Sequence, residues 1–372
     1  MRVLAIGHIG DFKVSDAGYA TASNGIYNCL KKMKEEKIID DLDFASSNNM
    51  ESLREVSEKT YDVALVNVNP TSFLNPQIIE LYKTALQGVT KKYLHIVWET
   101  SPLPRRWEYL WKGNLFDGFF TPSLFLLNMI KENTAKPVFY LPHYIDTSMF
   151  TQLNIEKKID EQKFTVLFFG QHTKRKGLED AIISFVRSLG SFSDTQLILK
   201  YNVITDKEPP VDMLIHTLTK TNTTSWKSGI FTLTDMLSQE EIVKLYQNSS
   251  VLLFPTRGEG FGLPLIEAMS IGLPIISTGW SACDEVLKES KGNIKVEYTL
   301  DSSVCMSHFG YEYNSIYAIP KIKSLEDALR NKYLLWKSDK SKYYEETIDN
   351  RALVESRYNY EALKNYLLTI VV

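Results

Sequence analysis

The sequence predicts an α/β chain made of two doubly wound, parallel-sheet domains. Three observations predict it. Short apolar runs alternate with helix-like segments along the whole chain, the rhythm of β-α-β units. The runs are near-continuously apolar, as parallel strands covered on both faces should be. A polar stretch at residues 151–163, "TQLNIEKKIDEQK", interrupts the rhythm, which then restarts. A chain of 372 residues is also too long for one ordinary core.

The first half reads in order. "RVLAIGHI" precedes a helix from about Tyr19 to Glu36, and "LDFASS" precedes a polar helical segment near Glu51. "DVALVNVN" leads to a helix at about Pro76 to Leu86. "YLHIVWE" is followed by "RRWEYLW", "GFFTPS" by "LFLLNMIKE", and "PVFYLPH" closes the set. Residues 1–150 are therefore expected to form one domain. In the second half "KFTVLFFG" precedes a helix from about Leu178 to Leu189, then "TQLILKYN" and a helix near Val211 to Leu218. "GIFTLT", a helix near Gln239 to Tyr246, "SVLLFP" and "LPIIST" complete a second domain over residues 151–350. Residues 299–320 do not fit the rhythm and read as an irregular insertion. The tail is helical from Leu325 onward, and residues 351–372 are expected to pack back across both domains. Open parallel sheets bind ligands at the carboxyl ends of their strands, so two such sheets are expected to face each other across a cleft.

Composition removes several classes of function. Hydrophobic content of 44% and charged content of 23% are those of a globular protein. The net charge of −3, with dispersed Lys and Arg, argues against a nucleic-acid binder. Cys29, Cys283 and Cys305 form neither a disulfide framework nor a zinc cluster, which suits a reducing cytoplasm. "MRVLAIGHIGDF" reads as a buried strand rather than a signal peptide, and no run of about 18 apolar residues spans a membrane. His8, His95, His143, His172, His216 and His308 lack metal-ligand spacing, and Asp41-Leu42-Asp43 sits at an apolar strand, so no metal is expected.

The chemistry concentrates in "FPTRGEGFGLPLIEAMSIGLPIIST", residues 254–278. Gly258, Gly260 and Gly262 link a strand to a helix with Pro264 near its first position, where a missing N–H costs nothing. Glycines admit a ligand to the backbone, and a helix N-terminus offers unpaired N–H groups and a favourable dipole to phosphate. Glu259 and Glu267 repel phosphate but accept hydroxyls, as from a sugar or a ribose. A nucleotide sugar satisfies every part. Two carboxylates also suit a hydrolase, at about 5–5.5 Å or about 6.5–9.5 Å apart by stereochemistry, but a glycine turn is wasted on a neutral glycoside. An ordinary turn with surface acids is the plain alternative. A dinucleotide-dependent dehydrogenase lacks its G-x-G-x-x-G after the first strand, where "GHIGDF" stands.

These residues resemble a family. Glu259-Gly260-Phe261-Gly262-Leu263-Pro264, with Glu267-Ala268-Met269 and Gly272-Leu273-Pro274, is similar to the E-x7-E motif of retaining GT-B glycosyltransferases of family 4. "GWSACDE" is similar to the family's G-G-x-P-E turn without its second glycine and its proline. "SQEEIVKLYQNSSVLLFPT", "LPHYIDTSMF", "DAGYATASNGIYNCL" and "IVWETSPLP" resemble further segments, so the resemblance covers most of the chain. It implies a GT-B fold of two Rossmann-like domains, acceptor-binding first and donor-binding second. It implies transfer of a hexose from a UDP- or GDP-sugar to a glycan, lipid-linked or protein acceptor, with retention; no metal or other cofactor is required if fixed cations and amides supply the charge.

Carried over by position, Glu259 contacts the donor sugar, Glu267 the ribose, and Lys176 in "GQHTKRKG" the diphosphate. The family often has arginine after the glycine at Gly170, where this chain has Gln171. Arg175 is the favoured substitute, and the alternative is weaker phosphate binding. The amides around Gly260, Phe261, Gly262 and Leu263 complete the anion site, with Gly18 as a donor from the first domain. Glu99 positions donor or acceptor, or is a solvated acid beside Trp98. Thr232 and Leu233 read the base, or simply end a strand. A non-catalytic partner subunit is the rival, and it would be expected to have lost Glu259, Glu267 or Lys176. Contact with the inner face of a membrane stays open through Lys31, Lys32, Lys34, Lys37, Arg105, Arg106 and Trp107, although Glu35 and Glu36 make a solvated helix face the better reading.

Overall fold

The computed structural model describes residues 1–8, 17–202, 211–221, 227–302 and 314–371. The chain divides into two compact units. One takes in Met1–Ile145 and Arg357–Val372, the other Asp146–Met306 and Ile316–Ser356.

The first unit is a six-stranded parallel sheet. Its strands are β1 (Arg2–Gly7), β2 (Asp41–Ser46), β3 (Tyr61–Val66), β4 (Val89–His95), β5 (Gly118–Thr121) and β6 (Val138–Tyr140), in the order β2-β1-β3-β4-β5-β6. The chain order reverses direction between β1 and β3. The helix Ala17–Glu35 buries Ile26, Leu30 and Met33 on this sheet, and the last helix, Tyr360–Val371, adds Leu363, Leu367 and Ile370 to the same core. Lys34 pairs with Asp41 at 2.7 Å, and the Lys32 ammonium lies 3.8 Å from the centre of the Tyr360 ring. Two cations of the lysine-rich helix are thus held within the unit. Trp107 is fully buried and packs edge-on against Trp98, so it is no membrane anchor. No helix among the described residues is long and apolar enough to cross a membrane.

The second unit repeats the plan. Strands β7 (Phe164–Gln171), β8 (Thr195–Asn202), β9 (Gly229–Leu233), β10 (Val251–Phe254), β11 (Ile275–Thr278) and β12 (Ile294–Val296) lie in the order β12-β11-β10-β7-β8-β9, all parallel. The expected helix Leu178–Leu189 and strand Thr195–Asn202 form over those very residues. A strongly amphipathic stretch with glycines at both ends, Gly177 and Gly190, leaves a helix little room to slip.

Two segments differ from expectation. The polar stretch 151–163 contains the helix Ile155–Ile159, capped by the Asn154 side chain. Its Lys158 is buried, donating to the carbonyls of Gln247 and Ser249 and to Glu161. A polar sequence here serves packing through a satisfied cation. Residues 299–320 are not irregular at their ends. β13 (Tyr298–Asp301) and β14 (Tyr317–Pro320) pair antiparallel, Asp301 opposite Tyr317. Between them Cys305 and His308 lie outside the described residues.

Candidate functional site

Within the second unit, chain order reverses between β7 and β10: β8 and β9 are added on one side, β11 and β12 on the other. The loops leaving the carboxyl ends of β7 and β10 diverge there, and such a switch point opens a crevice in a parallel sheet. The loop after β7 carries Arg175 and Lys176, and the loop after β10 carries Glu259.

The two loops meet through that acid. Glu259 Oε1 accepts from Lys176 Nζ at 2.6 Å, Arg175 Nη1 at 3.1 Å and Thr256 Oγ1 at 2.8 Å. Arg175 Nη1 also donates to the Gly258 carbonyl at 2.9 Å. Burial pushes the Glu259 carboxyl up, but Lys176 and Arg175 outweigh it and hold the group below its ordinary value. It is a carboxylate facing two cations, so the cluster keeps an excess positive charge. Glu259 Oε2 takes none of these bonds.

Backbone geometry enforces the meeting. Gly177 adopts φ 71°, and a Cβ there would lie 2.2 Å from the Pro255 carbonyl oxygen, so only glycine lets the loops touch. Arg257 N donates to the Arg175 carbonyl at 2.7 Å, and the Arg257 guanidinium holds buried Asp180 at 2.8 Å. The Ala318 amide of β14 donates to the Arg257 carbonyl at 3.0 Å, which ties the hairpin to the same loop. Gly262, at φ 93°, starts the helix Leu263–Ile271 with Pro264 in its first turn and no side chain capping its amides. Gly260 and Phe261 are buried beside it.

Within "GWSACDE", two residues after Gly279, Ser281 takes φ 55° although it is not a glycine. Its hydroxyl accepts from the Glu259 amide at 3.0 Å, which offsets the cost of that conformation.

Glu267 is built differently. It lies on the helix Leu263–Ile271, and its Oε2 accepts from the Tyr246 hydroxyl at 2.8 Å. Burial of the carboxyl pushes it up to about 7, against the pull of that hydrogen bond. The two acids therefore stand apart, one held ionised by cations and one poised near neutrality, a split that acid–base pairs also show.

The structure brings Arg175, Lys176, Glu259, Gly260, Phe261, Gly262 and Leu263 together at the switch point, with Glu267 on the helix they open. Gly170 and Gln171 end β7, and the Gln171 side chain makes none of the bonds of the cluster. Thr232 and Leu233 end β9 and are exposed. Gly18 and Glu99 belong to the first unit. Gly18 is an exposed residue in the first turn of its helix, and a Cβ there would meet nothing within 4 Å. Asp41 and Asp43 bind Lys34 and Tyr61 rather than each other's ligand, and among the described residues no His, Cys, Asp and Glu cluster is placed to hold a metal. Thr256, Ser281 and Tyr246 were not legible as site residues. Thr256 stands between the strand and Glu259 and could have been found by adjacency; the other two act across 22 and 21 residues with no spacing signal.

Comparison with known proteins points the same way. Residues 150–303 match the family "Glycosyl transferases group 1". Over 293 residues the chain is 25% identical to "Putative glycosyltransferase 45" of Sulfolobus islandicus filamentous virus (isolate Iceland/Hveragerdi), covering 74% of this chain and 73% of that one. A shorter match is 45% identical over 53 residues to the Escherichia coli serotype-specific mannosyltransferase WbdA, 14% of this chain and 6% of that protein. Among solved structures, Anabaena Alr3699/HepE in complex with UDP and glucose superposes with a TM-score of 0.66 at 12% identity, over 100% of this chain and 99% of that one. The fold is that of the GT-B enzymes, and the chain carries a glycosyltransferase group 1 domain.

Proposed function

We propose that this glycosyltransferase moves a hexose from a UDP- or GDP-linked sugar to a hydroxyl of a glycan, lipid-linked or protein acceptor, with retention at the anomeric carbon and without a metal. The observation that carries the reading is the convergence of Lys176 and Arg175 on Glu259, beside the uncapped helix N-terminus at Gly262. As the bond from the anomeric carbon to the diphosphate breaks, negative charge gathers on the departing oxygens. Fixed cations and amides aimed at them lower the barrier. Lys176 and Arg175 take that role, Arg175 in place of the arginine expected where Gln171 stands. Glu259, with Oε2 uncommitted to these cations, accepts a sugar hydroxyl, and Glu267 accepts the ribose. Backbone groups at Thr232 and Leu233 contact the base.

The acceptor oxygen bonds to the anomeric carbon on the face the diphosphate leaves, and the leaving phosphate takes the acceptor's proton. No protein nucleophile is assigned. The UDP and glucose bound to HepE and the mannosyltransferase WbdA support a hexose donor without choosing its base.

The test is a panel of UDP- and GDP-hexoses with candidate acceptors, read by mass spectrometry and nucleotide release, with and without EDTA. One donor is expected to yield hexosylated product with EDTA present. Thermal stabilisation by NADH alone would overturn the reading, and no response to any nucleotide would favour a non-catalytic partner.

Glu267→Ala is expected to weaken nucleotide-sugar binding about 10- to 100-fold, the scale of charge-assisted hydrogen bonds, measured by calorimetry. The wild-type affinity carries a pH signature. Ribose hydroxyls favour the carboxylate, so below about 7 binding must release a proton from Glu267. Affinity rises with pH, by at most about tenfold per unit, and levels off above about pH 7. A nucleotide sugar is the right probe, because its diphosphate diester has no titration in that range. A flat profile from about pH 5.5 to 8 would contradict Glu267 as the ribose acceptor.

A further inference from the structure

We propose that Tyr246 is the positioning residue of Glu267: its hydroxyl holds one carboxylate oxygen so that the other is presented to the ribose hydroxyls of the nucleotide. The inference rests on the reading of Glu267 given above and assigns a role to a residue with no chemistry of its own in the reaction.

Geometry supports it. Tyr246 is fully buried at the end of the helix Gln239–Gln247 and donates to Glu267 Oε2 at 2.8 Å. Its ring stacks on Phe169 of β7, centroids 5.6 Å apart and planes 26° apart. Phe169 immediately precedes Gly170 and Gln171, so the same strand that delivers the cation loop also fixes the tyrosine. A capping box starts the helix: Ser238 N donates to Glu241 Oε2 at 2.7 Å, and Glu241 N donates to Ser238 Oγ at 3.3 Å. The helix, the strand and the ring stack leave the hydroxyl little choice of direction.

Electrostatics agree. Burial pushes the Tyr246 phenol well up, so it stays a donor across the working range. Several titratable groups on elements packed against Leu263–Ile271 are engaged elsewhere or neutral, among them Glu346, 3.7 Å from Lys332, and Lys340, which donates to the Ile159 carbonyl at 2.9 Å. Tyr343 donates to the Ser250 carbonyl at 3.0 Å and Tyr344 to Glu161 at 3.1 Å. Asp284 pairs with Lys295 at 2.8 Å, and burial pushes the Cys283 thiol up. Glu285 shares the short helix Ala282–Val286 with Cys283, and Lys244 on the tyrosine's own helix is exposed. Tyr246 is the partner that acts on Glu267 directly.

The experiment compares UDP and GDP with their 2′,3′-dideoxy forms by calorimetry, in wild type and Tyr246→Phe. In the wild type the ribonucleotide is expected to bind about tenfold or more tighter than the dideoxy form. In Tyr246→Phe that ratio falls to about threefold or less, while dideoxy affinity changes less than about twofold. The midpoint of the pH profile for nucleotide-sugar affinity moves up, because the ionised acid has lost its donor.

Equal binding of ribo and dideoxy forms by the wild type would sink the ribose reading of Glu267, and the positioning role with it. A wild type that discriminates beside a Tyr246→Phe variant with the same ratio and the same midpoint would overturn the positioning role alone. Should Tyr246→Phe fail to fold, 3-fluorotyrosine incorporated at position 246 keeps the hydroxyl and makes it a stronger donor. The midpoint is then expected to move down, and an unmoved midpoint overturns the proposal.

Discussion

Lys176→Ala is expected to cut turnover by about 100- to 1000-fold, with folding intact. The magnitude follows from removing one preorganised donor aimed at developing negative charge, which costs about 2.7–4 kcal/mol of barrier. Arg175 lies beside it and sustains part of the function, so the loss stops short of abolition. Folding survives because Glu259 keeps Arg175 at 3.1 Å and Thr256 at 2.8 Å, and its amide keeps Ser281 at 3.0 Å. A second consequence separates a site residue from a surface charge. Burial pushes Glu259 up and Lys176 is the foremost group holding it down. Without the lysine the carboxyl titrates at higher pH, so at saturating donor, where the Glu267 effect on affinity drops out, turnover of the variant falls on acidification before that of the wild type does. Steady-state kinetics across pH with thermal unfolding as control measure both effects. Turnover within about twofold of wild type would remove Lys176 from the diphosphate site.

Much of the fold was legible because it rests on local signals. Apolar runs of strand length and the helix bounded by glycine at Gly177 and Gly190 both act over a few residues. What escaped was short or paired at a distance. β12 is three residues long, and β13 and β14 find each other across a segment that no local rule joins. In the site, the turn at Gly258 to Leu263 and both acids stood out by residue type. The bonds that give them character did not. Glu259 and Lys176 are 83 residues apart, and Glu267 and Tyr246 are 21 apart. Topology, not spacing, makes them neighbours. That the two acids would differ in ionisation could not be read from glutamates eight positions apart. It depends on which receives cations and which receives only a phenol.

Gly177→Ala is expected to cost about 2–5 kcal/mol of stability and to take most of the activity with it. Two separate penalties add. An L-residue held at φ 71° pays about 1–2 kcal/mol against its own carbonyl. The new Cβ also sits 2.2 Å from the Pro255 carbonyl oxygen and 3.0 Å from its carbon, and overpacking of this kind costs about 1–3 kcal/mol. The obstructing atoms are backbone, so no rotamer change relieves them. One of the two loops at the switch point must move. Either movement lengthens the contact between Lys176, adjacent in sequence, and Glu259, four residues past Pro255. Against a total stability of about 5–15 kcal/mol the loss is a large fraction, so urea unfolding reads it as a lowered midpoint with unchanged slope. Gly18→Ala is the matched control, since a Cβ there would meet nothing within 4 Å and alanine favours a helical turn by up to about 1 kcal/mol. A Gly177→Ala protein as stable as Gly18→Ala would mean that the loops do not touch as described, and the cation–carboxylate cluster would lose the geometry that defines it.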